Sequence, residues 1–92
     1  NDQAANDLKL FLRHRARTLM TELMALQDAL VAQAQAHKAT PVPGVTHLQA
    51  AQPITFGHHL LAHAQAFSRD AGRLMDWDAR NAVSPLGAAA LA

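Results

Sequence analysis

The 92-residue sequence contains no cysteine, which removes disulfides, thiolate metal sites and a cysteine nucleophile and is compatible with a reducing compartment. Charge is also scarce. Lys, Arg, Asp and Glu make up 16% of the residues, low for a small solvent-surrounded domain, so part of the surface is expected to meet a partner. Eight basic residues against seven acidic ones leave a net charge of +1, too weak a field to hold nucleic acid or an anionic membrane. Arg13, Arg15 and Arg17 do not share one helical stripe and lack the interleaved aromatics of a single-strand binder. No window approaches the roughly 18 apolar residues of a membrane span. No glycine-rich phosphate cradle and no Gly-x-Ser-x-Gly elbow is present, so nucleotide binding and serine-hydrolase chemistry lack a foothold. The polar start Asn1-Asp2-Gln3 resembles neither a signal nor a transit peptide. With no initiator Met and an uncharged close at Ala88-Ala89-Ala90-Leu91-Ala92, the chain reads as a section of a longer polypeptide.

Half of the residues are apolar, and their spacing is helical. Residues 2–38 contain neither Pro nor Gly, and Leu8, Phe11, Leu12, Leu19, Leu23, Leu26 and Leu30 recur at threes and fours, which predicts one long amphipathic helix. Leu19, Leu23, Leu26 and Leu30 have the four-three-four rhythm of a bundle seam, which Ala34 can continue. Pro41, Pro43 and Gly44 end that helix and predict an ordered loop over 40–53. Pro53 suits a first helical turn, and a second helix is predicted over 54–82 with Phe56, Leu60, Ala64, Phe67, Ala71 and Leu74 on its apolar face. Residues 83–92 form a loop and tail, in which the Ala-rich stretch can begin another helix.

The fold class expected from these patterns is all-α: two long antiparallel helices joined by an ordered loop, forming part of a larger helical bundle. Two helices shield only one side of each other, so the missing cover must come from other copies or from further sequence.

Chemistry has few places to sit. The densest polar cluster is Thr46, His47, Gln49 and Gln52, between Gly44 and Pro53 and flanked by long helices that can position it. His47 is the natural proton-transfer candidate, since imidazole titrates near neutrality, and Thr46 beside it offers a hydroxyl to a carboxylate or carbonyl. From the residues alone, a loop His beside Thr is more often a structural hydrogen-bonding or helix-entry feature. His59 and His63 are one turn apart, but Leu60 stands where the zinc-protease pattern needs Glu and no Cys completes a ligand set, so no metal site is expected. His58 adds nothing to such a set. Asn1 and Asp2 read as helix-start residues.

The run Pro43-Gly44-Val45-Thr46-His47-Leu48-Gln49-Ala50-Ala51-Gln52-Pro53-Ile54-Thr55-Phe56-Gly57-His58-His59-Leu60-Leu61-Ala62 strongly resembles the argininosuccinate lyase family of the fumarase/aspartase superfamily. Thr-His alone is a superfamily feature, whereas the Gln-Pro-x-Thr-Phe-Gly-His-His-Leu-Leu continuation is specific to this family. The resemblance extends to Asn1-Asp2-Gln3, similar to the end of the family's Ser-Arg-Asn-Asp-Gln segment, and to Asn81-Ala82-Val83-Ser84-Pro85-Leu86-Gly87 with Ala90-Leu91-Ala92.

The resemblance implies a fragment of the central helical domain of a cytoplasmic homotetramer in arginine biosynthesis. It implies reversible cleavage of argininosuccinate to arginine and fumarate by anti β-elimination. No cofactor is implied. Thr46 matches a threonine that binds a substrate carboxylate, His47 a histidine of the proton-transfer apparatus, and Asn1 an asparagine that contacts substrate. Gln49 and Gln52 are possible loop support. The family's mobile serine loop, with its lysine and asparagine, and the glutamate that partners the histidine have no counterpart in these residues, so the isolated chain is expected to be inactive. Ala50 and Ala89 depart from the family's usual Arg and Gly. A non-catalytic helical assembly fragment, or another lyase of the same superfamily, is the alternative.

Overall fold

The computed structural model describes residues 1–84. The first helix, α1, covers Asp2–Ala36, and the second, α2, covers Phe56–Arg80. Between them the chain forms two antiparallel strands, β1 (Pro41–Thr46) and β2 (Gln49–Thr55). The all-α expectation is therefore wrong: the segment read as an ordered loop over 40–53 is a β-hairpin, and Pro53 lies in β2 instead of the first turn of α2. The Ala-rich tail of the sequence reading falls outside the described residues.

The prolines that argued against regular structure are compatible with a two-stranded ribbon because of their register. Pro43 faces Pro53, and Pro41 faces Thr55. Alternate residues of an antiparallel pair turn their N–H groups away from the partner strand, and a position of that kind loses nothing when the N–H is absent. Val42 with Ile54, and Gly44 with Gln52, fill the intervening positions, where both residues have N–H groups to exchange. Both strands are edges, the one setting in which proline is tolerated.

The two helices pack with coiled-coil periodicity. On α1 and its C-cap, Asn6, Lys9, Arg13, Ala16, Met20, Leu23, Gln27, Leu30, Ala34 and His37 form a more covered stripe spaced alternately by three and four, with Thr18 also partly covered beside it. On α2 the sequence Gly57, Leu60, Ala64, Phe67, Ala71, Leu74, Asp78 and Asn81 has the same spacing. Partners step through the pair in heptads: Gly57 lies against Ala34, and Gln27 Nε2 donates to the Ala64 carbonyl at 3.4 Å. Two heptads further, Arg13 meets Asp78. Such a seam is the geometry of antiparallel helices supercoiled around one another.

This seam shares only Leu23 and Leu30 with the leucine run picked out in the sequence. Leu19 is 50% exposed and Leu26 43%, so both sit beside the intrachain contact. Ala34, which can continue that run, is buried in the seam, but the stripe as a whole is hard to see because Arg13, Gln27 and Ala16 occupy several of its positions.

At the hairpin end the packing is closest. A Cβ on Gly57 would lie 2.5 Å from the Ala34 carbonyl oxygen and 2.9 Å from Lys38 Cα, so only glycine admits this approach. The Gly57 N–H donates to the His37 carbonyl at 3.0 Å, and the Phe56 N–H to the Thr40 carbonyl at 2.8 Å. The Thr55 hydroxyl caps α2 by accepting from the His58 N–H at 3.3 Å. His37 and Phe56 meet edge to face, with ring centres 5.3 Å apart. These contacts fasten the root of the hairpin to both helices.

The molecule is long and thin, with extents of 63 × 28 × 15 Å. Its radius of gyration is 20.4 Å, against about 12 Å for a compact domain of this length. Among the described residues only Ala16, Ala34 and Ala64 are buried hydrophobics, and no large side chain is fully buried. Phe11, Leu8, Leu10 and Met24 are each more than half exposed. A helical hairpin with this much uncovered apolar surface is built to be covered by other polypeptide.

Candidate functional site

The tip of the hairpin is a two-residue turn, His47-Leu48, closed by the facing pair Thr46 and Gln49. Both turn residues have positive φ, 52° at His47 and 64° at Leu48. This is the type I′ pattern, whose twist matches that of the flanking strands and which favours Asn-Gly. Neither residue here is Gly or Asn. Left-handed backbone costs an ordinary side chain about 1–2 kcal/mol per residue, so the turn holds strain at the position of the candidate proton-transfer residue.

Cross-strand neighbours project from the same face of a ribbon, so the Thr46 hydroxyl and the Gln49 amide stand on one side of the tip. Thr46, His47 and Gln49 are all exposed, and none of their side chains hydrogen-bonds among the described residues. The structural hydrogen-bonding role open to His47 and Thr46 on sequence grounds is therefore not filled among the described residues. Gln52 is set back from the tip, facing Gly44 beyond a bulge that leaves Ala51 unpaired. The arrangement brings Thr46, His47 and Gln49 together and places Gln52 behind them.

Asn1 is at the other end of the molecule. It occupies the N-cap position of α1, and its carbonyl accepts from the Ala5 N–H at 2.9 Å, but its side chain makes no capping bond. The side-chain amide thus remains available for another partner. Thirty-five residues of helix separate Asn1 from the root of the hairpin, about 52 Å at 1.5 Å per residue. One copy of the chain cannot place Asn1 and His47 on the same small molecule.

The remaining histidines belong to the helix pair. The His59 ring lies nearly parallel to Phe56 at 6.4 Å and meets His63 edge to face at 5.1 Å. Among the described residues no group of three or more His, Cys, Asp or Glu side chains is arranged to hold a metal ion. No helix among them is long and apolar enough to cross a membrane.

At the Asn1 end, α1 and α2 are joined by an ion cluster that local spacing could not reveal. Arg13 Nε donates to Asp78 Oδ1 at 2.8 Å, and Arg17 approaches Oδ2 of the same carboxylate at 3.3 Å. The Arg13 hydrogen bond, reinforced by the two guanidinium charges, holds the Asp78 carboxyl below its ordinary value of 3.8 against the opposing effect of desolvation. Lys9 Nζ donates to the Val83 carbonyl at 2.8 Å and ties down the chain beyond α2.

A protein-family model described as lyase matches residues 1–92. The chain belongs to this lyase family. Argininosuccinate lyase 1 of Pseudomonas fluorescens is 66% identical over 92 residues, covering all of this lyase chain and 19% of that protein. Argininosuccinate lyase of Frankia casuarinae is 61% identical over the same length, covering 20% of that protein. The crystal structure of a fumarate lyase from Mesorhizobium sp. matches with a TM-score of 0.85 and 34% identity, over 90% of this chain and 20% of that one. The lyase chain therefore spans about a fifth of the length of these relatives. Identity this high along the whole of α1, the hairpin and α2 agrees with the resemblance seen in the Pro43 to Ala62 run.

Proposed function

We propose that the polypeptide carrying this chain is an argininosuccinate lyase, which cleaves argininosuccinate reversibly to arginine and fumarate by anti β-elimination. In that reaction a base removes a proton from the succinyl carbon beside a carboxylate. Negative charge builds on the carboxylate, and the carbon–nitrogen bond breaks as the guanidino nitrogen takes up a proton. Fixed hydrogen-bond donors aimed at the developing charge are the main source of acceleration in such a step.

Thr46 donates its hydroxyl to a substrate carboxylate, and the His47 imidazole takes part in the proton transfer. Gln49 supports the tip from the same face, and Gln52 supports the hairpin behind it. Asn1 contacts substrate from the start of α1, and the length of that helix means that it does so in a different copy from the Thr46 and His47 that share its site. A homotetramer working in arginine biosynthesis in the cytoplasm fits this reading. The isolated chain, which lacks the other segments of such a site, is an inactive piece of its central helical domain.

The observation that carries this reading is the strained turn. A histidine and a leucine held at positive φ, on an exposed tip whose hydroxyl, imidazole and amide groups make no hydrogen bond among the described residues, is a costly arrangement, and strain of that kind concentrates at functional sites. The test is incubation of the full-length protein with argininosuccinate, measuring fumarate and arginine together. Equimolar release supports the assignment; absence of both products from a folded, assembled protein rejects it.

The uncovered apolar length of α1 also fits an assembly role. That role complements catalysis, because a site made from distant ends of different copies requires assembly.

A further inference from the structure

The His37 side chain joins both feet of the hairpin, and the reaction proposed above gives it no part. One foot is Thr40, which precedes Pro41 at the start of β1; the other is Phe56, which follows Thr55 at the end of β2, and Pro41 faces Thr55 in the register. His37 Nδ1 shares a hydrogen bond with the Thr40 hydroxyl at 3.1 Å. Its ring meets that of Phe56 with centres 5.3 Å apart and planes at 70°. His37 is also the C-cap of α1, and its carbonyl accepts from the Thr40 N–H at 3.2 Å and the Gly57 N–H at 3.0 Å. Those backbone bonds are open to any residue. The bond to Thr40 and the contact with Phe56 need a ring with a polar edge.

Little else in this chain sets the angle of the ribbon. An open groove lined by Val42, Val45, Ile54, Phe56 and His59 separates the strands from the flank of α2. A two-stranded ribbon is marginal by itself and takes its direction from what holds its root. The six residues of β1 reach from root to tip, roughly 20 Å at about 3.3 Å per residue. Over that reach a rotation of about 3° at the root carries the tip through about 1 Å, and a displacement of about 1 Å can cost on the order of 100-fold in rate.

We propose that His37 is a positioning residue: by holding Thr40 through Nδ1 and Phe56 through its ring, it fixes the angle at which the hairpin presents Thr46 and His47. The proposal rests on the function proposed above and adds the brace that aims its tip. His37 lies at the root and touches no reacting atom.

Variants of the full-length protein test the brace. Thr40→Val keeps the shape of the side chain and removes the hydroxyl, and His37→Phe keeps a ring against Phe56 and removes Nδ1. Each is expected to lower kcat by about 10-fold, within the range that a displacement of about 1 Å produces, while KM and thermal midpoint change little. Thr40→Ser, which retains the hydroxyl, is expected to keep most of the kcat. The double variant His37→Phe with Thr40→Val is expected to be no slower than either single one, because both remove the same bond. A merely structural bond would lower the thermal midpoint and leave kcat per folded molecule unchanged. That result, or a loss in Thr40→Ser as deep as in Thr40→Val, overturns the proposal.

His47→Asn measured alongside separates the two levels of argument. If His47→Asn is inactive and the root variants turn over normally, the brace fails and the function stands. If His47→Asn is fully active, the role of the tip fails, and the brace is judged by geometry alone. Crystal structures of the full-length protein and its Thr40→Val variant, superposed on α1 and α2, are expected to differ by about 1 Å or more at the His47 Cα. Coincident tips contradict the proposal.

Discussion

Gly57 lies directly against the backbone of Ala34, so that a single added Cβ would come within 2.5 Å of the Ala34 carbonyl oxygen. This contact sets how closely α1 and α2 approach at the end where the hairpin departs, and the Gly57 N–H bond to His37 fixes their relative height. The direction of the whole hairpin follows from it.

Gly57→Ala is therefore expected to destabilise the full-length protein by about 1–3 kcal/mol, the usual cost of overpacking a closed contact. Gly72, where an added Cβ meets nothing within 4 Å, is the control. Gly72→Ala is expected to be neutral or slightly stabilising, since alanine is the better helix former. Chemical denaturation of the two variants measures the difference, and equal stability would contradict the close approach.

The Asp78 cluster gives a pH dependence of definite sign. Arg13 and Arg17 hold the folded-state carboxyl below 3.8, so the stability it contributes is present above that value and is lost as the pH falls through the lowered folded value. Asp78→Asn is expected to be less stable than the parent at neutral pH and to show a flatter loss of stability on acidification below pH 3.8. Thermal midpoints across the acid range supply the test. Parallel curves for the two proteins would remove Asp78 from the account.

The two faces of α1 are separable by mutation. Leu23 lies in the seam with α2, and Leu19 lies half exposed beside it. Leu23→Asp is expected to cost roughly 2 kcal/mol or more, because a charge enters an apolar contact. Leu19→Asp is expected to weaken association between copies more than it weakens the helix pair. Sedimentation and unfolding measured together distinguish the two effects, and identical behaviour of both variants would show that the faces are not distinct.

The helices are legible in the sequence because Leu23, Leu30, Leu60, Phe67 and Leu74 keep helical spacing through segments without proline. Their contact phase is less legible, since Arg13 and Gln27 hold inward positions that hydrophobicity alone assigns elsewhere. The hairpin is missed for a more specific reason. Pro41, Pro43 and Pro53 read as breakers, and only the register reveals that they occupy positions that need no N–H. The turn lacks the Asn-Gly signal by which a type I′ hairpin is recognised, so neither the positive φ of His47 nor the exposure of Leu48 can be foreseen. Thr46 and His47 stand out by residue type, and Asn1 only by its resemblance. The pairing of Arg13 with Asp78, 65 residues away, leaves no local trace.

The most direct measurement is the rate of fumarate release from argininosuccinate by the full-length protein carrying His47→Asn, followed by ultraviolet absorbance beside the unaltered protein. With assembly and folding preserved, turnover is expected to fall by about 100-fold or more, the scale of a lost positioned proton-transfer group. An unchanged rate in the assembled variant would contradict the assignment of the hairpin tip to the chemistry.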